Sequence, residues 1–246
     1  MCRPLTQLRA ILPFGVFAFL LTNATCSSPP LPPSAEEREA ADAILEILST
    51  TQTSDISDAF SKALEWPHIR HDRTEGRGEH SYNSLTNLVR VDSSGASVIV
   101  AGSDSTDSGD LSALVDDIIP DEAAYLLDRF KDEFLYRIQE DAHYWSQPAH
   151  VVTITARPGA NQTVQYASYV FDDSSEKLVS LSFRNHTQTI LFEETSQYQL
   201  QLRPGPDGTW VPYRLVTRVA LQLPSRQQRL FARNVTFYGY ITRPEG

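Results

Sequence analysis

Tyr169-Val170-Phe171-Asp172-Asp173-Ser174-Ser175-Glu176-Lys177-Leu178-Val179-Ser180-Leu181 decides the fold. Aromatic and branched residues on either side suit a pleated, half-buried backbone. Between them lie four residues of Asp and Ser, whose short side chains bond to nearby backbone and bend the chain. The stretch therefore reads as two strands, 165–171 and 177–183, joined by a turn too short for anything but an antiparallel pair.

The same pattern recurs outward from this hairpin. Strands are expected at 134–139, 150–156, 187–193, 198–202, 209–223 and 230–241, with turn chemistry at Arg157-Pro158-Gly159-Ala160-Asn161 and Pro204-Gly205-Pro206-Asp207-Gly208. Such short links make an antiparallel meander. In the long strand 209–223, Tyr213, Leu215, Val219 and Leu221 share one face. A sheet of this length with one apolar face must curl around something, either its own helices or a ligand.

Toward the N-terminus the period changes. Ser34 and Glu37 form a capping-box pattern, and Ala40, Ala41, Ile44, Leu45, Ile47 and Leu48 recur at helical spacing, which predicts an amphipathic helix over 36–48. A second helix is expected over 56–65, ended by Trp66-Pro67. A hairpin is expected at 84–91 and 96–101, then an exposed loop over 102–110. A turn or two of helix follows at 111–119, and a further helix at 121–133. The fold class is α+β.

At the start of the chain, Arg3 and Arg9 precede an uncharged stretch over 10–22 rich in Phe and Leu. This is the pattern of a secretory signal, and it is shorter than the roughly 20 residues a membrane-spanning helix needs. The expected organisation is a signal peptide over 1–25, a Pro-rich tether over 26–33 containing Pro29-Pro30-Leu31-Pro32-Pro33, and one domain over 34–246. Cys2 leaves with the signal, so Cys26 is the candidate lipidation site. The alternative is ordinary cleavage that leaves or removes an unimportant thiol.

With 41% hydrophobic and 21% charged residues in 246, the chain can build a packed core. Losing Arg3 and Arg9 leaves 19 basic against 31 acidic side chains, a net charge of about −12. Such a chain is a poor ligand for phosphate backbones, which excludes nucleic acid as a partner. From Ser196 onward, however, seven arginines face only Asp207 and Glu245. That half reads as a solvated basic face, or as a surface for an acidic partner or lipid head groups.

The order of elements resembles the LolA and LolB lipoprotein-carrier superfamily, with its LppX-like and RseB-like envelope relatives. Two stretches carry the likeness: Tyr169 to Leu181, similar to that family's strand, Asp-containing turn and strand, and Asp207-Gly208-Thr209-Trp210-Val211-Pro212, similar to the turn that opens its next long strand. The resemblance implies a curved antiparallel sheet forming a half-open β-barrel, helices packed on the concave side as a lid, and an apolar cavity for acyl chains. It also implies a periplasmic or outer-membrane-associated location. A lipidated Cys26 would resemble the anchored members and depart from the soluble carriers.

Motifs of chemistry are absent. No Gly-x-Ser-x-Gly elbow and no His-Glu-x-x-His helix occurs, so no catalytic residue, cofactor or metal is assigned. His68, His71, Asp72, Glu79 and His80 lie close in sequence, but Arg70, Arg73 and Arg77 among them favour a solvated loop over a metal site. Asp104, Asp107 and Asp110 do not follow the alternation of a calcium loop.

Aromatics, in contrast, crowd the C-terminal strands. Tyr169, Phe171, Phe183, Phe192, Trp210, Tyr213, Leu215, Val219 and Phe237 are the candidate ligand-binding residues, for a lipid or an acylated protein held in a carrier or sorting role. The rival readings are a secreted or surface-tethered hydrolase, and a structural or sensory module whose core is filled.

Overall fold

The structure, a computed structural model, describes residues 32–51, 56, 59–60, 67–78, 82–92, 97–101, 123–225 and 227–241. The signal segment, Cys26, His80, Asp104, Asp107 and Asp110, the loop over 102–110 and the helix expected at 111–119 lie outside these residues. So does most of the helix expected at 56–65.

Helix α1 (Ala35–Thr50) starts where its sequence asks. The Ser34 hydroxyl accepts from the Glu37 amide at 3.2 Å, and the Glu37 carboxylate accepts from the Ser34 amide at 2.7 Å, which satisfies two of the amides left free by a first turn. Ala41, Ile44 and Leu48 form its buried stripe.

Among the described residues ten strands follow: β1 (His68–Arg77), β2 (Tyr82–Val91), β3 (Ser97–Ala101), β4 (Phe134–Tyr144), β5 (Gln147–Ala156), β6 (Val164–Asp172), β7 (Lys177–Gln188), β8 (Glu193–Pro204), β9 (Trp210–Gln222) and β10 (Gln228–Tyr238). They form one antiparallel sheet in the order β3-β2-β1-β10-β9-β8-β7-β6-β5-β4. The meander β4 to β10 is therefore extended by the N-terminal strands, with β1 laid against β10. Because β3 and β4 end the order without meeting each other, the sheet is open.

It is also strongly curved. Three strands separate β4 from β8, which in a flat sheet would place them about 19 Å apart at the usual ~4.8 Å spacing. Yet the Tyr144 hydroxyl donates to the Leu202 carbonyl at 2.9 Å and Trp145 Nε1 donates to the same carbonyl at 3.1 Å. Tyr144 stacks on Trp210 with centroids 5.9 Å apart, and Trp145 meets Tyr213 edge-on at 4.8 Å. Only a rolled sheet brings these groups together. The result is the expected half-open barrel, its concave side packed by α1 and by Tyr125 from a short 3-10 helix.

Four local expectations are corrected. Residues 68–77, read as a solvated loop, are strand β1, central in the sheet. The strand expected at 177–183 runs on to Gln188 as β7, because Arg184, Asn185 and His186 continue the ladder opposite Gln197, Ser196 and Thr195, and the strand expected at 187–193 is the end of β7, a turn and the first residue of β8. The helix expected at 121–133 is, over its described part, two 3-10 helices, Ala124–Leu126 and Asp128–Glu133. Strand β4 runs five residues past its expected end at 139. Its turn, Trp145-Ser146, takes φ of 52° and 65° with neither Asn nor Gly, so the usual hairpin signal is missing.

Candidate functional site

Cross-strand register builds the concave face residue by residue. Val235, Leu215, Leu200, Leu181, Tyr169 and Val152 are successive partners from β10 to β5, and none is more than 4% exposed. Side chains of opposed residues share a face, so these six form an unbroken apolar belt across the barrel. Ala41, Ile44 and Leu48 of α1 and Tyr125 join the same core.

Of the nine residues expected to contact a ligand, Tyr169, Phe171, Phe183, Leu215 and Phe237 sit in this core, each under 5% exposed. Trp210 is half-buried and packs against them. Phe192, Tyr213 and Val219 are also half-buried, with Tyr213 drawn into the aromatic clasp beside Trp145. The structure thus gathers the first five and distributes the others along the rim.

Phenol chemistry at the core is structural. The Tyr125 and Tyr169 hydroxyls lie 2.7 Å apart and the Tyr136 hydroxyl donates to the Tyr125 carbonyl at 2.6 Å. Burial pushes all three phenols up, Tyr169 to about 12, away from the range where a group exchanges protons near neutrality. Among the described residues no group of three or more His, Cys, Asp or Glu could hold a metal ion.

The two ends of the barrel differ. One carries the clasp of Tyr144, Trp145, Trp210 and Tyr213. At the other, the β7–β8 turn carries Ile190 and Leu191, 78% and 66% exposed. Near it a cleft of about 210 Å³ is lined by Arg77, Glu193, Thr195, Leu221 and Arg229 among others.

Sequence reasoning missed a polar set on the same concave face. His68, Arg70, Asp72, Asn87 and Thr217 are all under 9% exposed. Asp72 is clamped by Arg233, whose Nη2 and Nε donate at 2.7 and 3.3 Å. The signal available was the alternation of His68, Arg70 and Asp72 at a period of two, obscured because the inward residues are polar.

Some solved structures are distantly similar to this chain. An outer membrane lipoprotein-sorting protein domain from Vibrio parahaemolyticus matches at 12% identity and a TM-score of 0.30, covering 83% of this chain and 95% of that one. A DUF1329 family protein from Desulfovibrio piger matches at 10% identity and 0.26, covering 83% and 92%. MucB in complex with MucA matches at 8% identity and 0.21, covering 76% and 94%. No protein-family model matches the chain, and no curated protein is similar to it at a significant level.

Proposed function

We propose that this chain is an exported envelope protein that holds a lipid or an acylated partner against the concave face of its half-barrel. The observation that carries the reading is the apolar belt from Val235 to Val152, continuous over six strands of a sheet that stays open at both edges. An acyl chain that covers about 300 Å² of such a surface gains roughly 7 kcal/mol before ordering costs. Because α1 and Tyr125 occupy part of the belt, loading requires them to shift, which makes them the lid. The exposed Ile190 and Leu191 give the end opposite the clasp an apolar rim.

The leading segment supports export, and Cys26 is the proposed point of lipid attachment. Intact-mass measurement of the protein from its native host tests both: a mature chain beginning at Cys26 and carrying added acyl mass is expected, and a start beyond Cys26 would remove the anchor. Extraction of the same preparation should release fatty acyl species in near-stoichiometric amount. A preparation free of them that also fails to take up a fluorescent fatty acid would overturn the carrier reading.

The near-complete burial of Tyr169, Leu215 and Phe237 favours a second reading, a module whose own side chains fill the interior. In that case added acyl chains leave the unfolding temperature unchanged.

A further inference from the structure

The belt does not end at the barrel wall. Val235 is opposed by Asp72 and Asp72 by Asn87, so the apolar row runs directly into buried polar groups on β1 and β2. In the next row Thr217 opposes Arg233, and Arg70, opposite Phe237, stands two positions from Asp72 on the same face. On the wall made by β2, β1, β10 and β9, Arg70 and Asn87 thus flank Asp72 on one side, and Arg233 and Thr217 lie one row beyond it on the other.

The patch is unbalanced. Arg233 takes both oxygens of Asp72 in a bidentate clamp, which leaves two guanidinium groups to one carboxylate. Arg70 is only 6% exposed, and its Nε has no hydrogen-bond partner. Nor have Asn87 Oδ1 and the Thr217 hydroxyl. Burial drives the Arg70 pKa below the usual guanidinium range; Asp72 raises it and Arg233 lowers it further. A buried cation whose neighbouring carboxylate is already engaged is costly unless an anion joins it. The three unpaired polar atoms on this wall leave it short of a partner, since buried polar groups are ordinarily paired.

We propose that this patch seats an anionic head group, a carboxylate or a phosphate, of the amphiphile whose hydrocarbon lies along the belt. Arg70 Nε donates to its oxygens, as in other charge-assisted pairs. Asn87 contributes through its amide, which presents either its oxygen or its nitrogen according to the rotation of the group. The seat rests on the lipid-binding reading for its source of ligand, but a free inorganic anion shares the same chemistry.

The test measures binding of oleate and of oleyl alcohol to the full mature chain, and its unfolding temperature in inorganic phosphate against chloride at equal ionic strength. Oleate is expected to bind at least about tenfold more tightly than the alcohol, a difference of one charge-assisted contact, and Arg70→Met is expected to remove that preference. Equal affinity of the two amphiphiles would overturn the head-group seat while leaving the carrier reading intact. If neither amphiphile binds but phosphate raises the unfolding temperature in an Arg70-dependent way, the seat stands as a free-anion site and the carrier reading falls. No amphiphile binding and no phosphate effect would sink both. Should Arg70→Met fail to fold, Arg70→Lys, which keeps the charge but loses Nε, supplies the comparison, and the phosphate shift of the unaltered protein stands by itself.

Discussion

Asp172 shows how one side chain can fix a hairpin. Its Oδ2 accepts from the Ser174 hydroxyl at 2.7 Å, the Ser175 amide at 3.0 Å and the Ser175 hydroxyl at 2.5 Å, while Glu176 takes a φ of 55° to close the turn. Burial raises the Asp172 pKa, but the bonds from Ser175, Ser174 and Trp210 outweigh it and leave the carboxyl below its ordinary range. A lowered folded-state value stabilises the native chain above the unfolded pKa, and that contribution disappears as pH falls through the folded one. Asp172→Ala should therefore cost about 2 kcal/mol at neutral pH, measured by urea unfolding, and the gap to wild type should narrow below about pH 4. Asp72 makes a sharper case: Asp72→Ala strips Arg233 of its partner and leaves two buried cations together. A loss of about 3–5 kcal/mol is expected, partly recovered when Arg233→Met is added. This turn was legible because Asp and Ser announce it. The polar set of β1 was not, since a charged side chain in a central strand breaks the rule that inward residues are apolar, and nothing local shows that Asp72 will meet Arg233.

Elements declare themselves in proportion to how local their causes are. Helix α1 was readable from its cap and its stripe, both contained within sixteen residues. The place of the tight β4–β5 turn was not, because Trp145 and Ser146 adopt left-handed backbone that is sustained by distant groups: the Leu202 carbonyl for the indole and Tyr213 for its ring. The turn is paid for by tertiary contacts. Ser146→Gly, which adopts a positive φ without the side-chain penalty, should stabilise the protein by up to about 1 kcal/mol. Trp145→Ala should destabilise it by about 1–2 kcal/mol through the lost hydrogen bond and ring contact. Thermal unfolding of the pair separates backbone strain from clasp formation, and a loss of stability in Ser146→Gly would show that the serine side chain has a role of its own.

For the whole molecule, the meander from β4 to β10 followed from short loops, whereas the pairing of β1 with β10 had no sequence signal, since its partners come from opposite ends of the chain. Likewise, nine aromatic and aliphatic residues were expected to face a guest; which of them meet α1 depends on how the sheet rolls, a global property. Ile44 is the test of that packing. At 1% exposed beneath the belt, Ile44→Ala should cost about 2–4 kcal/mol, and it should increase binding of an environment-sensitive apolar dye if α1 is the lid. An unchanged dye signal, with the stability lost, would mark α1 as fixed core.

The clamp between Asp72 and Arg233 joins positions 161 apart in sequence. As the polypeptide emerges from the ribosome, the first hairpin has no neighbour to complete it until the tenth strand is synthesised. Pairing of that hairpin with the rest of the sheet therefore waits on β10, so the wall that carries Asp72 is completed late in synthesis.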